Sequence, residues 1–467
     1  MALPLNPAYS QTSQPLVPSG PSRRTLLQSV AAGFGWLAFA GLNGLAASPS
    51  PNPQGPKAPH FTPKARRIIF LCMQGGPSHL DTFDFKPRLT RDHGLVLKGR
   101  GATGGAKIQG SPFTFKQQGQ AGLWMSDLFP CLAQRADDLC IIRSMHTDIP
   151  NHPQALIQLH TGSARFVRPS MGAWVLYGLG TENSNLPGFI TLNPPTQFGA
   201  QNYGSAFLPA SHQGTRLNAS GSLSNSQHPF LNRPQQRRQL DLIQAMNLDF
   251  SNTTGAHPEV EGAIQSFELA FRMQSEMPQV MDLKTESPQT LERYGIGTTG
   301  TDGFGRQCLL ARRMAEAGVR FIELNQGGWD QHQNLTADMQ RNAYAIDRPI
   351  AALLSDLKER GLLEDTLVIW GGEFGRTPDS RRDDGRDHNA KGFTFWLAGG
   401  GARPGFQYGA TDELGAEAVE NRVHIHDLHA TALHLLGLDH ERLTFRYGGR
   451  NHRLTDVKGQ VVQAIVA

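Results

Sequence analysis

The chain has 467 residues, of which 39% are hydrophobic and 18% charged, with 44 basic against 40 acidic side chains. That length can bury one large α/β core or two smaller ones. A near-balanced charge leaves no electrostatic footprint for nucleic acid, so no nucleic-acid partner is expected.

Residues 1–22 carry no charged side chain, and then Ser22-Arg23-Arg24-Thr25-Leu26-Leu27 precedes an apolar run and the small residues Gly44 to Ser48. A paired arginine, a moderately apolar stretch and a small-residue exit form a twin-arginine export signal over 1–47. The rival is a permanent anchor, since the apolar run approaches the length of a span. Its interruption by glycine favours cleavage, which leaves 42 basic against 40 acidic residues and a chain with no stable membrane span. Periplasmic or extracellular residence follows. Residues 48–65 are Pro-rich and read as a linker before a domain over 66–467. Cys72, Cys131, Cys140 and Cys308 each sit in apolar surroundings, which predicts buried thiols rather than disulfides.

From residue 66 onward, strands alternate with helices. Arg66 to Met73 is an apolar run ending in Gln74-Gly75-Gly76-Pro77, a buried strand that feeds a loop. Residues 90–120 read as irregular. DDLCIIRSM is a second strand, and Asn151 with Pro153 starts a helix through NHPQALIQLHTG. FITL at 189–192 is a strand; a partly helical insertion occupies 195–300, with helical patterns at 236–247 and 258–282, and another helix spans 304–317. AGVRFIELN, DTLVIWGGEFG and FTFWLAGGG are strands, 337–360 is an amphipathic helix ending at Gly361, and HDLHATALHLLGL is a helix with a glycine stop. This alternation predicts a mostly parallel sheet covered on both faces, with chemistry at the strand ends.

Polar side chains collect at those ends: His79 and Asp81; His146, Thr147, Asp148 and His152; Asp330 and His332; Glu373 and Arg376; Asp387 and His388. Carboxylates and imidazoles converging from five loops suit one or two divalent ions, with Zn, Mn, Mg and Ca not separable. Bland readings stand beside these. Asp81 and Asp84 are turn-capping types, Trp329 can anchor its loop, and Arg376 can serve as an ion-pair partner. His424, His426, His429 and His434 read first as residues of a core helix.

GGPSHLDTFDFKP, HTDIPNHPQALIQLHTGS, RPSMGAWVLYGLG, NLPGFITL, GGWDQHQN, TLVIWGGEFGRTP, GRDHNAKGFTFWLAGGG and the tail from His426 occur in order over roughly 66–460. In these pieces the chain resembles an uncharacterised family of exported, sulfatase-like proteins of planctomycete-type bacteria, itself similar to the alkaline phosphatase and sulfatase superfamily. The resemblance implies a three-layer α/β/α sandwich of the alkaline phosphatase kind, with metal ligands at Asp81 (or Gln74), Asp330, His332, Glu373 and His388. It also shows departures. Gln74 stands where a strand-end Asp is expected, Phe374 stands where the superfamily has a histidine, and the Asp330/His332 spacing is tight. The sulfatase nucleophile motif is absent, since Asn151 or His152 falls at its position and Thr147 is the nearest hydroxyl.

Two functions follow from the resemblance and its gaps. One is a metal-dependent hydrolase of phosphate or sulfate esters on a small-molecule or polysaccharide substrate. In it His152 is an additional ligand or base, Thr147 the nearby hydroxyl, and Arg376 the group that steadies the anion. The other is a non-catalytic module that binds sulfated polysaccharide or a cell-surface partner.

Overall fold

The computed structural model describes residues 54–96, 106–195, 199–218, 230–255, 258–380 and 383–467; the export signal assigned to 1–47 lies outside them. The strands of the central sheet are β1 (Arg67–Met73), β2 (Leu139–His146), β3 (Phe189–Leu192), β4 (Thr215–Leu217), β5 (Phe321–Gln326), β6 (Thr366–Gly371), β7 (Phe393–Ala398), β8 (Phe406–Tyr408) and β9 (Val423–His424). They form one sheet in the order β8-β2-β7-β6-β1-β5-β3-β4, with β9 also paired to β2.

β1 pairs in parallel with both β5 and β6, β3 pairs in parallel with β5 and β4, and only β7 runs antiparallel to its neighbours β2 and β6. The sheet is therefore mostly parallel. Its central strands are buried along their whole length, which is why they read as unbroken apolar runs.

The period-two alternation of β1 sorts the layers. Ile69, Leu71 and Met73 face one core, filled by α5 (Asp302–Glu316) and α6 (Leu335–Glu359). Ile68, Phe70 and Cys72 face the other, filled by α1 (His152–Thr161), α2 (Met171–Leu179) and α7 (Ile425–Leu435). Helices on both faces of one sheet make the expected three-layer α/β/α sandwich.

The insertion contributes two long helices, α3 (Arg233–Thr254) and α4 (Pro258–Met281). It also contributes the edge strand β4, which its Gln-, Asn- and Ser-rich composition hides from a sequence reading. The described part of the Pro-rich segment, 54–65, has no helix or strand but is not loose. Lys57 N–H donates to Leu179 O, His60 N–H to Gly437 O, and Lys64 N–H to Leu435 O, each at 2.8 Å. Proline-rich chain stays irregular, yet its remaining N–H groups still find carbonyls at the helix ends. All four cysteines are free thiols.

Candidate metal centre

Four loops meet beyond the carboxyl ends of β1, β2, β5 and β6. Their approach depends on Gly75, which has φ +111°, and a Cβ there would lie 2.7 Å from the backbone nitrogen of Asp330. Only glycine lets the first loop run against the one carrying Asp330. Trp329, fully buried, anchors that second loop, and its backbone N–H donates to Gln74 O at 3.2 Å.

Asp330 Oδ1 is the point of convergence. His332 Nε2 lies 3.1 Å from it, His152 Nε2 3.2 Å and His388 Nε2 3.3 Å. Arg376 Nη2 donates to the same oxygen at 2.7 Å. His332 Nε2 and His388 Nε2 stand 2.9 Å apart.

Each imidazole is oriented from behind. His152 Nδ1 donates to Glu373 Oε1 at 2.6 Å, His332 Nδ1 to Asp387 Oδ1 at 3.1 Å, and His388 Nδ1 to Pro150 O at 2.9 Å. Carboxylates and carbonyls only accept, so in each neutral ring the proton sits on Nδ1 and the Nε2 lone pair points at Asp330. Such outer partners fix tautomer and ring direction in metal-binding histidines. Lone pairs facing one another and a carboxylate repel unless a proton or a cation lies among them. The separations of 2.9–3.3 Å match the edges of a coordination polyhedron with donors at 2.0–2.2 Å, which are about 2.8–3.6 Å.

Charge at the site follows the same geometry. Burial pushes the His152 imidazole down, but hydrogen bonds and charge from Asp330 and Glu373 outweigh it and raise the group to about 9. Burial likewise opposes the Asp330 charge, yet bonds from His152, His388 and Arg376 hold its carboxyl far below the usual range. Without a metal the site keeps a proton on His152; a divalent ion would take its place.

The sequence-predicted residues divide on this geometry. Asp330, His332, His388 and His152 come together. His152, Asp330 and His388 form one of two groups of potential ligands among the described residues. Glu373 stands behind, accepting from His152 and, with both oxygens, from Gly75 N–H at 3.0 and 3.2 Å. Phe374 packs its ring 4.6 Å from both His152 and His388.

Asp81 lies in a separate pair, taking two bonds from Arg386 at 2.7 and 3.1 Å with both side chains sealed from solvent. A bidentate buried arginine already satisfies that carboxylate, and the sequence could not show it because the two residues are 305 apart. Thr147 donates its hydroxyl to Gln158 at 3.0 Å rather than to any of the four clustered side chains. Arg376 is fully buried, and its nitrogens bond Gly75 O, Gly76 O, Trp329 O, Arg386 O and Asp330. It therefore locks the loops and aims Asp330, with no free edge for an anion. His424, His426 and His429 belong to the start of α7, where His424 and Asp427 form a reciprocal cap.

Residues 65–466 match the family described as "Protein of unknown function (DUF1501)". The chain belongs to that family. No curated protein matches this DUF1501 chain. Among solved structures it is similar to the lipoteichoic acid synthase LtaP from Listeria monocytogenes (10% identity, 82% of this chain and 76% of that one, TM-score 0.37). It is also similar to the PsFucS1 sulfatase from Pseudoalteromonas sp. (13%, 81% and 68%, TM-score 0.32). A third similarity is to the C-terminal periplasmic domain of EcEptC from Escherichia coli, in complex with Zn (10%, 83% and 88%, TM-score 0.35). The chemistry of the DUF1501 site rests on its own side chains.

Proposed function

We propose that this chain is a metal-dependent hydrolase of phosphate or sulfate esters that lacks the sulfatase nucleophile. The observation that carries this reading is the convergence of three imidazole Nε2 atoms on Asp330 Oδ1. Asp330, His152, His332 and His388 would hold a divalent ion, which when bound supplies Lewis-acid polarisation of an ester oxygen. The side chain of Asp330 is 46% exposed, so the ligand set opens to solvent as a catalytic rather than a closed site requires. Glu373 orients His152, Arg376 orients Asp330, and Phe374 keeps water off one side of two imidazoles. Zn, Mn, Mg and Ca are all compatible with carboxylate and imidazole donors, and zinc suits them best.

Turnover of aryl phosphates, phosphodiesters and aryl sulfates by the metal-loaded chain is the test, with Asp330→Asn as control. Stoichiometric metal without turnover of any class overturns the hydrolase. A second reading, a module that binds sulfated polysaccharide or a cell-surface partner without cleaving it, draws on Arg376. Among the described residues Arg376 is the arginine that reaches Asp330, and it is spent on the protein itself rather than on a transferring group. Retention of a sulfated glycan with no cleavage would favour it.

Export by the twin-arginine route to the periplasm or cell exterior belongs to the same proposal. It rests on Arg23 and Arg24 before the apolar run, and it suits a chain whose ligands come from three separate segments and so assemble only once folded. No helix among the described residues is long and apolar enough to cross a membrane. Substituting both arginines by lysine should hold the chain in the cytoplasm; unchanged export would exclude this route.

A further inference from the structure

A second cluster lies inside the sheet, apart from the open site. Cys72 of β1 and Glu323 of β5 sit on the same face of neighbouring strands, where Phe70 is the register partner of Glu323 and Cys72 that of Asn325. His160, from the last turn of α1, covers them. Sulfur, imidazole nitrogen and carboxylate oxygen lie within 4.8 Å of one another. The three residues are 0%, 3% and 1% exposed.

Their hydrogen bonding is incomplete in a particular way. His160 Nδ1 donates to Leu156 O at 2.8 Å, one turn back in its own helix. That leaves Nε2 facing Glu323 Oε1 at 3.3 Å, a contact that raises the imidazole against the effect of burial yet lies outside good hydrogen-bond geometry. A charge-assisted bond would close to about 2.7–2.9 Å. Two donors on one tetrahedral ion at 2.0–2.2 Å stand about 3.3–3.6 Å apart, so the observed gap suits a shared cation better than a shared proton. On Glu323, Oε1 accepts from Asn325 Nδ2 at 2.9 Å and from Thr191 Oγ1 at 3.4 Å, while Oε2, fully buried, accepts from nothing. Among the described residues no arginine or lysine pairs with this carboxylate. His160 at 3.3 Å is its one charge partner among the described residues and leaves Oε2 unanswered; buried carboxylates persist where they are paired or coordinate a metal.

We propose that Cys72, His160 and Glu323 form a second, buried three-donor site for a divalent transition metal of the zinc class, separate from the open cluster at Asp330. A thiolate–imidazole–carboxylate set favours zinc or cobalt over magnesium or calcium. Binding displaces the Cys72 thiol proton to solvent and forms the sulfur–metal bond, with no change of oxidation state. Because the site is sealed, the ion enters as the sheet and α1 come together during folding.

The test is to produce the full chain in cobalt-supplemented minimal medium and record its absorption spectrum, beside Cys72→Ser and Asp330→Asn. The expected result is a thiolate-to-cobalt charge-transfer band in the wild type and in Asp330→Asn, lost in Cys72→Ser together with one equivalent of metal. The wild-type spectrum decides even if Cys72→Ser fails to fold, because among the described residues Cys72 is the one cysteine in a group of potential ligands. A cobalt-loaded wild type without the band overturns the proposal. So does a band of equal strength in Cys72→Ser. The open site has no sulfur, so its failure to bind metal would leave this outcome unaffected.

Discussion

Asp330 and Asp81 make an instructive pair, because both are strand-end aspartates and their neighbours give them opposite work. Asp330 sits among three lone-pair nitrogens, whereas Asp81 is clasped by Arg386. Asp330→Asn should abolish metal retention at the open site and also lower Tm of the metal-free chain, since it removes the carboxylate paired with buried Arg376. Glu373→Gln removes the acceptor behind His152 and should weaken metal affinity about 10–100-fold, the usual cost of an outer partner. Asp81→Asn should leave metal affinity unchanged but destabilise the fold by about 3 kcal/mol, since it strands a buried guanidinium. Metal titration by calorimetry together with thermal melts separates these cases. Loss of metal binding in folded Asp81→Asn would return Asp81 to the ligand set. Ligand types were legible in the sequence because carboxylates and histidines after apolar runs are unusual. Their partners were not, for Arg386 and Glu373 act through contacts about 300 and 220 residues distant.

At the level of elements, the strands of the parallel core could be read because burial on both faces leaves an apolar run. The β4 strand could not, since an edge strand of three residues carries no such pattern. Gly75 illustrates what spacing alone conceals. Its sequence context announces a loop, but its φ of +111° and its contact with the Asp330 backbone appear only in three dimensions. Gly75→Ala should cost about 1–3 kcal/mol of stability and also weaken metal binding, because the loop bearing Asp330 must retreat. A melt shift with unchanged metal affinity would show that the two loops are not coupled. The turn Ala210–His212 of the insertion gives a pH-dependent case. Burial lowers the His212 imidazole to about 4, helped by Lys57 and opposed by its bond with Pro209 O. The unfolded chain takes up this proton near pH 6.5 and the folded chain does not until about 4, so folded stability falls as pH drops across that window. The loss should reach about 3 kcal/mol, and His212→Gln should flatten the Tm-against-pH curve between those limits. Parallel curves for the two proteins would rule the mechanism out.

Across the whole molecule, the sandwich is held by two apolar layers, and the open cluster ties together loops that the layers leave apart. β2, β5 and β6 are each followed by a segment that carries a ligand, so an ion at Asp330 would cross-link three points of one sheet edge. An ion bound only by the native chain adds stability of RT ln(1 + [L]/Kd), about 2.7 kcal/mol at a hundredfold excess over Kd. Calorimetric melts should therefore rise on adding zinc and fall on chelation, with the reversible part absent in Asp330→Asn. The buried cluster at Cys72, His160 and Glu323 predicts a different response, since a chelator reaches it only through unfolding. The wild type should then keep one tightly held equivalent after dialysis against chelator, with the Tm lowered only by the contribution of the open site. Complete stripping at a rate faster than global unfolding would mean that all bound metal sits at the open edge of the sheet. Retention of one equivalent in Asp330→Asn as well would place it in the interior, between the sheet and α1.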